Sequence, residues 1–452
     1  MIHWTDGAVR TALGLGPEVA ASPAAFLAIS TDTRTIQRGA LFVALKGERF
    51  DGHDHLAAAR DAGATGAVVR EGTPDVEGLV LYRVPDTLAA YGELGRARRR
   101  TLSGPVIAIG GANGKTSTKE MCAAVLRTHY RVHATPENDN NLVGIPKTLL
   151  AAPPDTEALV IEAGASVRGE LMRARRIIEP TVTVTTNVAV SHLDGFGSLE
   201  GVTQEELDLL DGVPLAIVGV DPPALATGAR ERAGKVITAG LARADRVPQS
   251  ATVDSTGHPT LVVDGHRVRL PLLGLHQAAN AMLAWTLARE LGLDLGLAAE
   301  ALRTLRIPGG RGEVIQARGL TIVNDAYNAN PASFLAAIGT ARAMRGSRRL
   351  VFVVGTMREL GPESARHHNA VAAALVGLEP DLLAAVGDFV PVLRLYAGRL
   401  GDRLLCAPDA ETMGPLLRSR LHGDELIILK ASRGTALERI LPHLTGQEYQ
   451  TH

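Results

Sequence analysis

The run Gly111-Ala112-Asn113-Gly114-Lys115-Thr116-Ser117 combines two glycines, a cation and two hydroxyls directly behind the apolar stretch Pro105–Gly110. A strand that opens into glycine-rich backbone and then into a helix is built to hold phosphate. The glycines let amide N–H groups converge on the anion, and the positive end of the helix adds to their field. In such a loop Lys115 places a point charge on the β- and γ-phosphates and Thr116 offers a hydroxyl to Mg²⁺. The spacing is the short one, since the full G-x-x-x-x-G-K-[ST] form needs Gly at position 109, where Ile109 stands. The ligand expected is ATP, accompanied by Mg²⁺. That cation usually takes one or two carboxylates beside phosphates and water. Glu162 lies in the candidate strand Ala158–Ala163, while Asn187 and His192 follow Thr181–Thr185. Ligands of open α/β sheets gather outside the carboxyl ends of the strands, which places all three in the right region.

The elements that must carry these residues are legible as apolar punctuation. Pro105–Gly110, Ala158–Ala163, Thr181–Thr185 and Pro214–Val218 read as buried strands, with a helix from the glycine loop to about His129 and another over His276–Leu291. A β-like stretch lies around Leu261–Leu270. The last third alternates strands (Leu320–Val323, Leu350–Val354, Leu382–Val386, Leu404–Ala407, Leu426–Leu429) with helical spacing at Pro331–Met344, Pro362–Val376, Phe389–Gly398 and Ala410–Leu421. Strands alternating with helices imply parallel crossovers and a doubly wound sheet, and strands covered on both faces read as continuous apolar runs. Pro308-Gly309-Gly310-Arg311-Gly312 breaks the pattern, and a softer boundary follows the basic run Arg96–Arg100. That run, without interleaved aromatics, reads as a solvated helix end. The division expected is 1–103, 104–310 and 311–452.

Composition narrows the class. The chain has 452 residues, 46% hydrophobic and 21% charged with a net charge of -1, which describes a folded, multidomain protein and argues against a nucleic-acid binder. Aromatics make up only 3%, so the cores must be aliphatic. Two distant cysteines, Cys122 and Cys406, exclude a disulfide framework and fit a reducing compartment. Neither a secretory leader nor a membrane span of about 18 apolar residues is read, so a cytoplasmic enzyme without membrane insertion is expected.

Beyond the loop, longer matches carry a family. Ser30-Thr31-Asp32-Thr33-Arg34, Gly39–His53 with Asp51-Gly52-His53, Asn140-Asn141-Leu142-Val143-Gly144-Ile145-Pro146, Glu162-Ala163-Gly164-Ala165-Ser166, Asn187–Gly197, Asp325-Ala326-Tyr327-Asn328-Ala329-Asn330-Pro331 and Lys430-Ala431-Ser432-Arg433-Gly434 together resemble the Mur ligases. These are the ATP-dependent amide-forming enzymes of peptidoglycan precursor synthesis. The resemblance implies an α/β fold of three domains: an N-terminal UDP-sugar-binding domain, a central P-loop ATPase-like parallel sheet, and a C-terminal Rossmann-like doubly wound domain for the amino component. The Asp325–Pro331 stretch, with no Asp-Asn-Pro-Arg tetrapeptide in the chain, implies the member that joins D-Ala-D-Ala to UDP-N-acetylmuramoyl-tripeptide. Another amino component, or a degenerate nucleotide- or UDP-sugar-binding partner protein, are the alternatives.

The resemblance also distributes roles. It implies that Gly111, Ala112, Asn113, Gly114, Lys115, Thr116, Ser117, Asn280, Arg311, Asp325 and Asn330 border ATP. Arg34, Lys46, His53, Asn140, Asn141 and Ser166 are implied for the UDP-sugar peptide, with Asn141 near the nascent acyl phosphate. Thr116 and Glu162 are implied for one Mg²⁺ and His192 for a second; Lys115 would serve catalysis, and a monomer is expected. Where relatives carry a carbamylated lysine, this chain has Glu206, in Glu205-Glu206-Leu207-Asp208. Either Glu206 (or Glu205) supplies the missing oxygen ligand, or the run is a solvated acidic helix face. Gln277 and Thr356 also depart from the family pattern.

Overall fold

The computed structural model describes residues 4–16, 25–306 and 312–447. The chain divides into two compact units, one of Met1–Ala108, Tyr130–Ala165 and Gly169–Val182, the other of Ile109–His129, Ser166–Arg168 and Thr183–His452.

The first unit contains a four-stranded parallel sheet ordered Ile29–Ser30, Ala40–Val43, Ala64–Arg70, Val80–Val84. Both of its faces are covered. Leu41, Val43 and Val68 pack with Trp4, Phe26, Tyr82 and Tyr91 on one side, while Phe42, Ala44, Ala67 and Val69 pack with Leu56 and Ala59 on the other. Successive strand residues point to opposite faces, so two buried faces require the unbroken apolar run Ala40–Ala44. In the same unit Ala158–Glu162 and Val132–Ala134 are parallel neighbours.

The basic run that ends the helix Thr87–Arg99 differs from its reading as a solvated end. Arg96 and Arg100 hold the Glu179 carboxylate, Arg99 donates to the carbonyls of Ile178 and Glu179, and buried Arg98 donates to those of Ala152 and Pro153. Ile178 ends the helix Glu170–Ile178, whose last carbonyls have no partner within the helix and favour cations. The run is a clamp on a helix terminus.

In the second unit Lys235–Thr238 and Leu215–Val218 are parallel neighbours. The glycine loop leads into the helix Lys115–Leu126, which packs on Leu275–Glu290. The β-like stretch around Leu261 proves to be part of a three-stranded antiparallel sheet, Ser250–Val253, Pro259–Val263 and His266–Arg269. A six-stranded sheet follows in the order Glu313–Ala317, Leu320–Asp325, Leu426–Lys430, Leu350–Val354, Leu382–Val386, Leu404–Ala407. It is parallel except for the first pair. Leu350, Phe352 and Val354 face the helices Pro331–Arg345, Ser364–Gly377 and Phe389–Arg394, while Val351 and Val353 face Ala410–Arg418 and Leu441–Thr445. Helices on both faces make it doubly wound. The helix expected over Phe389–Gly398 is two, Phe389–Arg394 and Ala397–Leu400, and the one after Ala410 stops at Arg418.

Candidate active site

The phosphate loop is shaped by what surrounds it. Gly111 has φ +117, and a Cβ there would stand 2.0 Å from the Thr186 hydroxyl. Gly114 has φ +80, and a Cβ there would meet the Asn280 side chain at 2.8 Å. Both positions therefore exclude a side chain twice over, by conformation and by space. The next strand end grips the loop from the other side. The Ala112 N–H donates to the Asn187 carbonyl (2.8 Å) and the Asn113 N–H to Asn187 Oδ1 (3.2 Å). In return Asn187 Nδ2 and the Thr186 hydroxyl donate to the Asn113 carbonyl at 3.0 and 2.6 Å. The Gly111 N–H donates to Glu206 Oε2 at 2.6 Å.

This arrangement bears on how the loop could meet phosphate. The amides of Gly111, Ala112 and Asn113, expected to converge on phosphate, are bonded to protein. The first turn of the helix Lys115–Leu126 lies next to them and carries the positive end of the helix dipole. Lys115 folds back over the loop, its Nζ donating to the Gly111 carbonyl at 2.6 Å. Thr116 and Ser117 are buried at the same turn.

Glu205 and Glu206 are 3% and 7% exposed, so the acidic run of the helix Leu199–Asp208 is no solvated face. Burial pushes the Glu206 acid up to about 7, with the Lys115 charge and the Gly111 N–H pulling the other way and Glu205 adding to the rise.

The same unit brings C-terminal residues to the loop. Asn330 caps the helix Pro331–Arg345 through Ser333 and also donates from Nδ2 to Asn113 Oδ1 at 2.8 Å. Asp325 accepts from buried Lys430 (2.7 Å), which also donates to the Asn328 carbonyl. His192, at φ +49, meets Glu359 Oε2 through Nδ1 at 2.5 Å, and the Leu193 N–H donates to the Glu359 carbonyl. Asn280 is buried and donates to Gln277 Oε1 at 3.1 Å.

Three comparisons bear on this geometry. The Mur ligase middle domain matches residues 109–288, the Mur ligase glutamate ligase domain 310–433, and the Mur ligase family catalytic domain 26–99. The UDP-N-acetylmuramoyl-tripeptide–D-alanyl-D-alanine ligase of Bacillus subtilis strain 168 is 34% identical over 427 residues, 92% of each chain. The chain belongs to the Mur ligase family. Among solved structures, MurF from Acinetobacter baumannii has a TM-score of 0.90 at 28% identity, covering 99% of this chain and all of that one. The MurF ligase of Thermotoga maritima in complex with ADP has a TM-score of 0.82 at 26% identity, covering 93% and 97%.

In this Mur ligase the other residues singled out in the sequence fall differently. Within the first unit Glu162, 1% exposed, ends the strand Ala158–Glu162; its Oε1 accepts from Asn140 Nδ2 at 2.9 Å and its N–H donates to the Thr135 hydroxyl. Asn141 Oδ1 accepts the amides of Val143 and Gly144 at the start of the helix Gly144–Ala151, which makes it a turn-former. Arg34 pairs with Asp32 through two nitrogens and is otherwise in solvent. Lys46 reaches Asp51 only at 3.8 Å. His53 has both ring nitrogens engaged: Nδ1 with Asp51 at 2.6 Å, and Nε2 accepting the Arg70 N–H at 3.0 Å. A nitrogen that accepts an N–H carries its lone pair there, so the ring is the neutral Nδ1–H tautomer. It offers no further donor to an anion. Ser166 is exposed in the second unit, and Arg311 lies outside the described residues. Thr356 accepts the Asp388 N–H through its hydroxyl.

Thr186, Glu359 and Lys430 complete these networks without having been assigned a role from their spacing. Thr186 and Lys430 carry a readable signal, since each stands at the carboxyl end of a buried strand.

Proposed function

We propose that this chain joins D-Ala-D-Ala to UDP-N-acetylmuramoyl-tripeptide, converting ATP to ADP and phosphate. The observation that carries the reading is the end-to-end match to the ligase of that name, 34% identical over 92% of both chains. The chemistry agrees with the phosphate loop. A carboxylate is a poor acyl donor because oxide would have to leave. Transfer of the γ-phosphoryl group gives an acyl phosphate, and attack of the acceptor amine on its carbonyl releases phosphate. The first turn of the helix Lys115–Leu126 would cradle the nucleotide's phosphates. Lys115, turned from the Gly111 carbonyl to the phosphates, would neutralise charge that grows during transfer.

Among the described residues no cluster of three or more His, Cys, Asp or Glu forms a metal cage. That suits Mg²⁺ carried in with the nucleotide, which completes its shell with phosphates and water. Thr116 would offer that ion a hydroxyl oxygen; Glu162 and His192 are the other donors we assign to Mg²⁺, Glu162 within the first unit and His192 within the second. Glu206 stands apart because its Oε2 accepts the Gly111 N–H. When bound, the cation offsets phosphate charge. Arg34, Lys46, Asn140 and Ser166 are assigned to the UDP-sugar peptide and Asn280, Asp325 and Asn330 to ATP. We read the chain as a cytoplasmic monomer acting on soluble substrates; no helix of the described residues is long and apolar enough to cross a membrane.

Phosphate release from ATP, measured with each substrate omitted in turn and with product mass, tests the reading. Release that needs both the UDP-tripeptide and D-Ala-D-Ala supports it. Release with a different amine points to another acceptor. No ATP bound by folded protein removes the enzymatic reading altogether.

A further inference from the structure

We propose that Glu206 is a positioning residue of the phosphate loop: its buried carboxylate holds the Gly111 N–H and sets the loop in the shape that receives ATP. The inference rests on the nucleotide role argued above but adds a residue that acts through backbone. Four observations converge on it. Glu206 Oε2 lies 2.6 Å from the Gly111 nitrogen, a short hydrogen bond for an N–H donor. The carboxylate is 7% exposed, so water competes little for the bond. The loop is built closely around it, because a Cβ on Gly110 would come within 2.8 Å of the same oxygen. Gly111, at φ +117, is held at both ends, by Glu206 on its N–H and by Lys115 on its carbonyl.

The physical consequence is preorganisation. A glycine-rich turn has many conformations to lose, and fixing it before ligand arrives removes that entropy from the binding step. Asn187 and Thr186 fix the next two residues in the same way, so Glu206 is the first of three anchors along the turn. A carboxylate can do this without touching the nucleotide. Removing it should weaken ATP binding and leave affinity for the UDP-tripeptide where it was. The amide of glutamine, which keeps an acceptor oxygen in the same place, should recover most of the loss.

The test begins with the ligand-free protein and ends with nucleotide. In ¹H–¹⁵N spectra of the parent chain the Gly111 amide proton should lie far downfield. It should move upfield in E206Q, further in E206A, and stay in place in E205Q. Calorimetry with ATP and Mg²⁺ should then show E206A binding roughly ten- to a hundredfold more weakly, the range expected when a buried backbone donor loses its acceptor. E206Q should recover most of that loss, and the Mg²⁺ concentration needed for half-maximal binding should be the same in both variants as in the parent. A Gly111 amide indifferent to E206Q overturns the proposal. So does an E206Q protein that binds ATP normally only at raised Mg²⁺, which would make Glu206 a metal ligand. Should E206A fail to fold, E206Q and the amide signal still decide. Should the parent bind no ATP, the nucleotide reading fails while the amide signal reports on the brace alone.

Discussion

Two polar clusters, one in each compact unit, offer themselves in the sequence for gripping an anion, and the structure builds them on opposite principles. At the phosphate loop the polar groups are aimed at backbone. Glu206, Thr186 and Asn187 hold the N–H and C=O groups of residues 111–113, with Glu206 and Thr186 buried. In the N-terminal cluster side chains pair mainly with one another, and they range from the exposed Arg34 to the partly buried Asp51 and His53. Arg34, with a side chain 85% exposed, spends its guanidinium on Asp32 and holds that carboxyl at about 2, while Asp51 collects Lys46, His53 and Arg70. Buried bonds to backbone specify a shape and are costly to break, whereas exposed ion pairs contribute little and exchange partners readily. The loop should therefore fail abruptly on substitution, and the N-terminal cluster should bend.

The largest effects belong to the loop. Lys115→Met keeps the stem of the side chain and removes the charge proposed to meet the transferring phosphoryl group. Turnover should fall by about 10²–10³, the range seen when one transition-state donor is removed. A phosphate-release assay checks it, and a variant within threefold of the parent would remove Lys115 from the mechanism. Gly111→Ala comes next. Its Cβ must share space with the Thr186 hydroxyl at a φ that alanine rarely adopts, so unfolding stability should drop by about 2–4 kcal/mol. Denaturant melts measure this. An unchanged midpoint would show that the turn can relax and that the comparison overstates its rigidity.

These contrasts also explain what could be read from residues alone. The strands Leu350–Val354 and Leu382–Val386 were legible to the residue because burial on both faces forces an unbroken apolar run. The edge strand Glu313–Ala317 was not, since it is half exposed, paired on one side only, and carries Glu and Gln among its apolar residues. Lys115 and Thr116 announce themselves by spacing. The use made of Arg96–Arg100 and Glu206 does not, because a charged side chain reads the same whether it faces solvent or a backbone group brought from about 80 to 95 residues away. Local pattern encodes which face is buried. It does not encode which distant amide a buried carboxylate will find.

Glu206 offers a smaller effect with a definite sign. Its acid is raised from 4.5 to about 7 in the folded chain, so the folded state holds this proton more tightly than the unfolded one. The stability this contributes is complete below about pH 4.5 and is lost as pH rises towards 7, levelling off above it, with an upper limit on the order of 3 kcal/mol. Glutamine does not titrate. E206Q should therefore match or trail the parent near pH 5 and gain on it steadily up to pH 7. Parallel thermal melts across that window check the sign, and a parent whose relative stability rises with pH would show that the carboxylate is comfortably charged beside Lys115.

The smallest effects should appear in the N-terminal cluster, where they separate structure from binding. His53→Ala removes the acceptor of the Arg70 N–H and the donor to Asp51, so it should lower stability by about 1 kcal/mol. Arg34→Ala removes only an exposed pair and should stay within about 0.5 kcal/mol of the parent. Measured against the UDP-tripeptide, the order should reverse. Arg34 can leave Asp32 for a phosphate at little cost, while His53 has no donor to spare, so Arg34→Ala should raise KM for that substrate more than His53→Ala does. KM values unchanged from the parent in both variants would mean that neither residue meets the substrate and that the cluster only shapes its own loop. A KM raised chiefly by His53→Ala would mean that the ring gives up the Arg70 amide on binding, and that the pliable side of the comparison lies in the turn at Asp51.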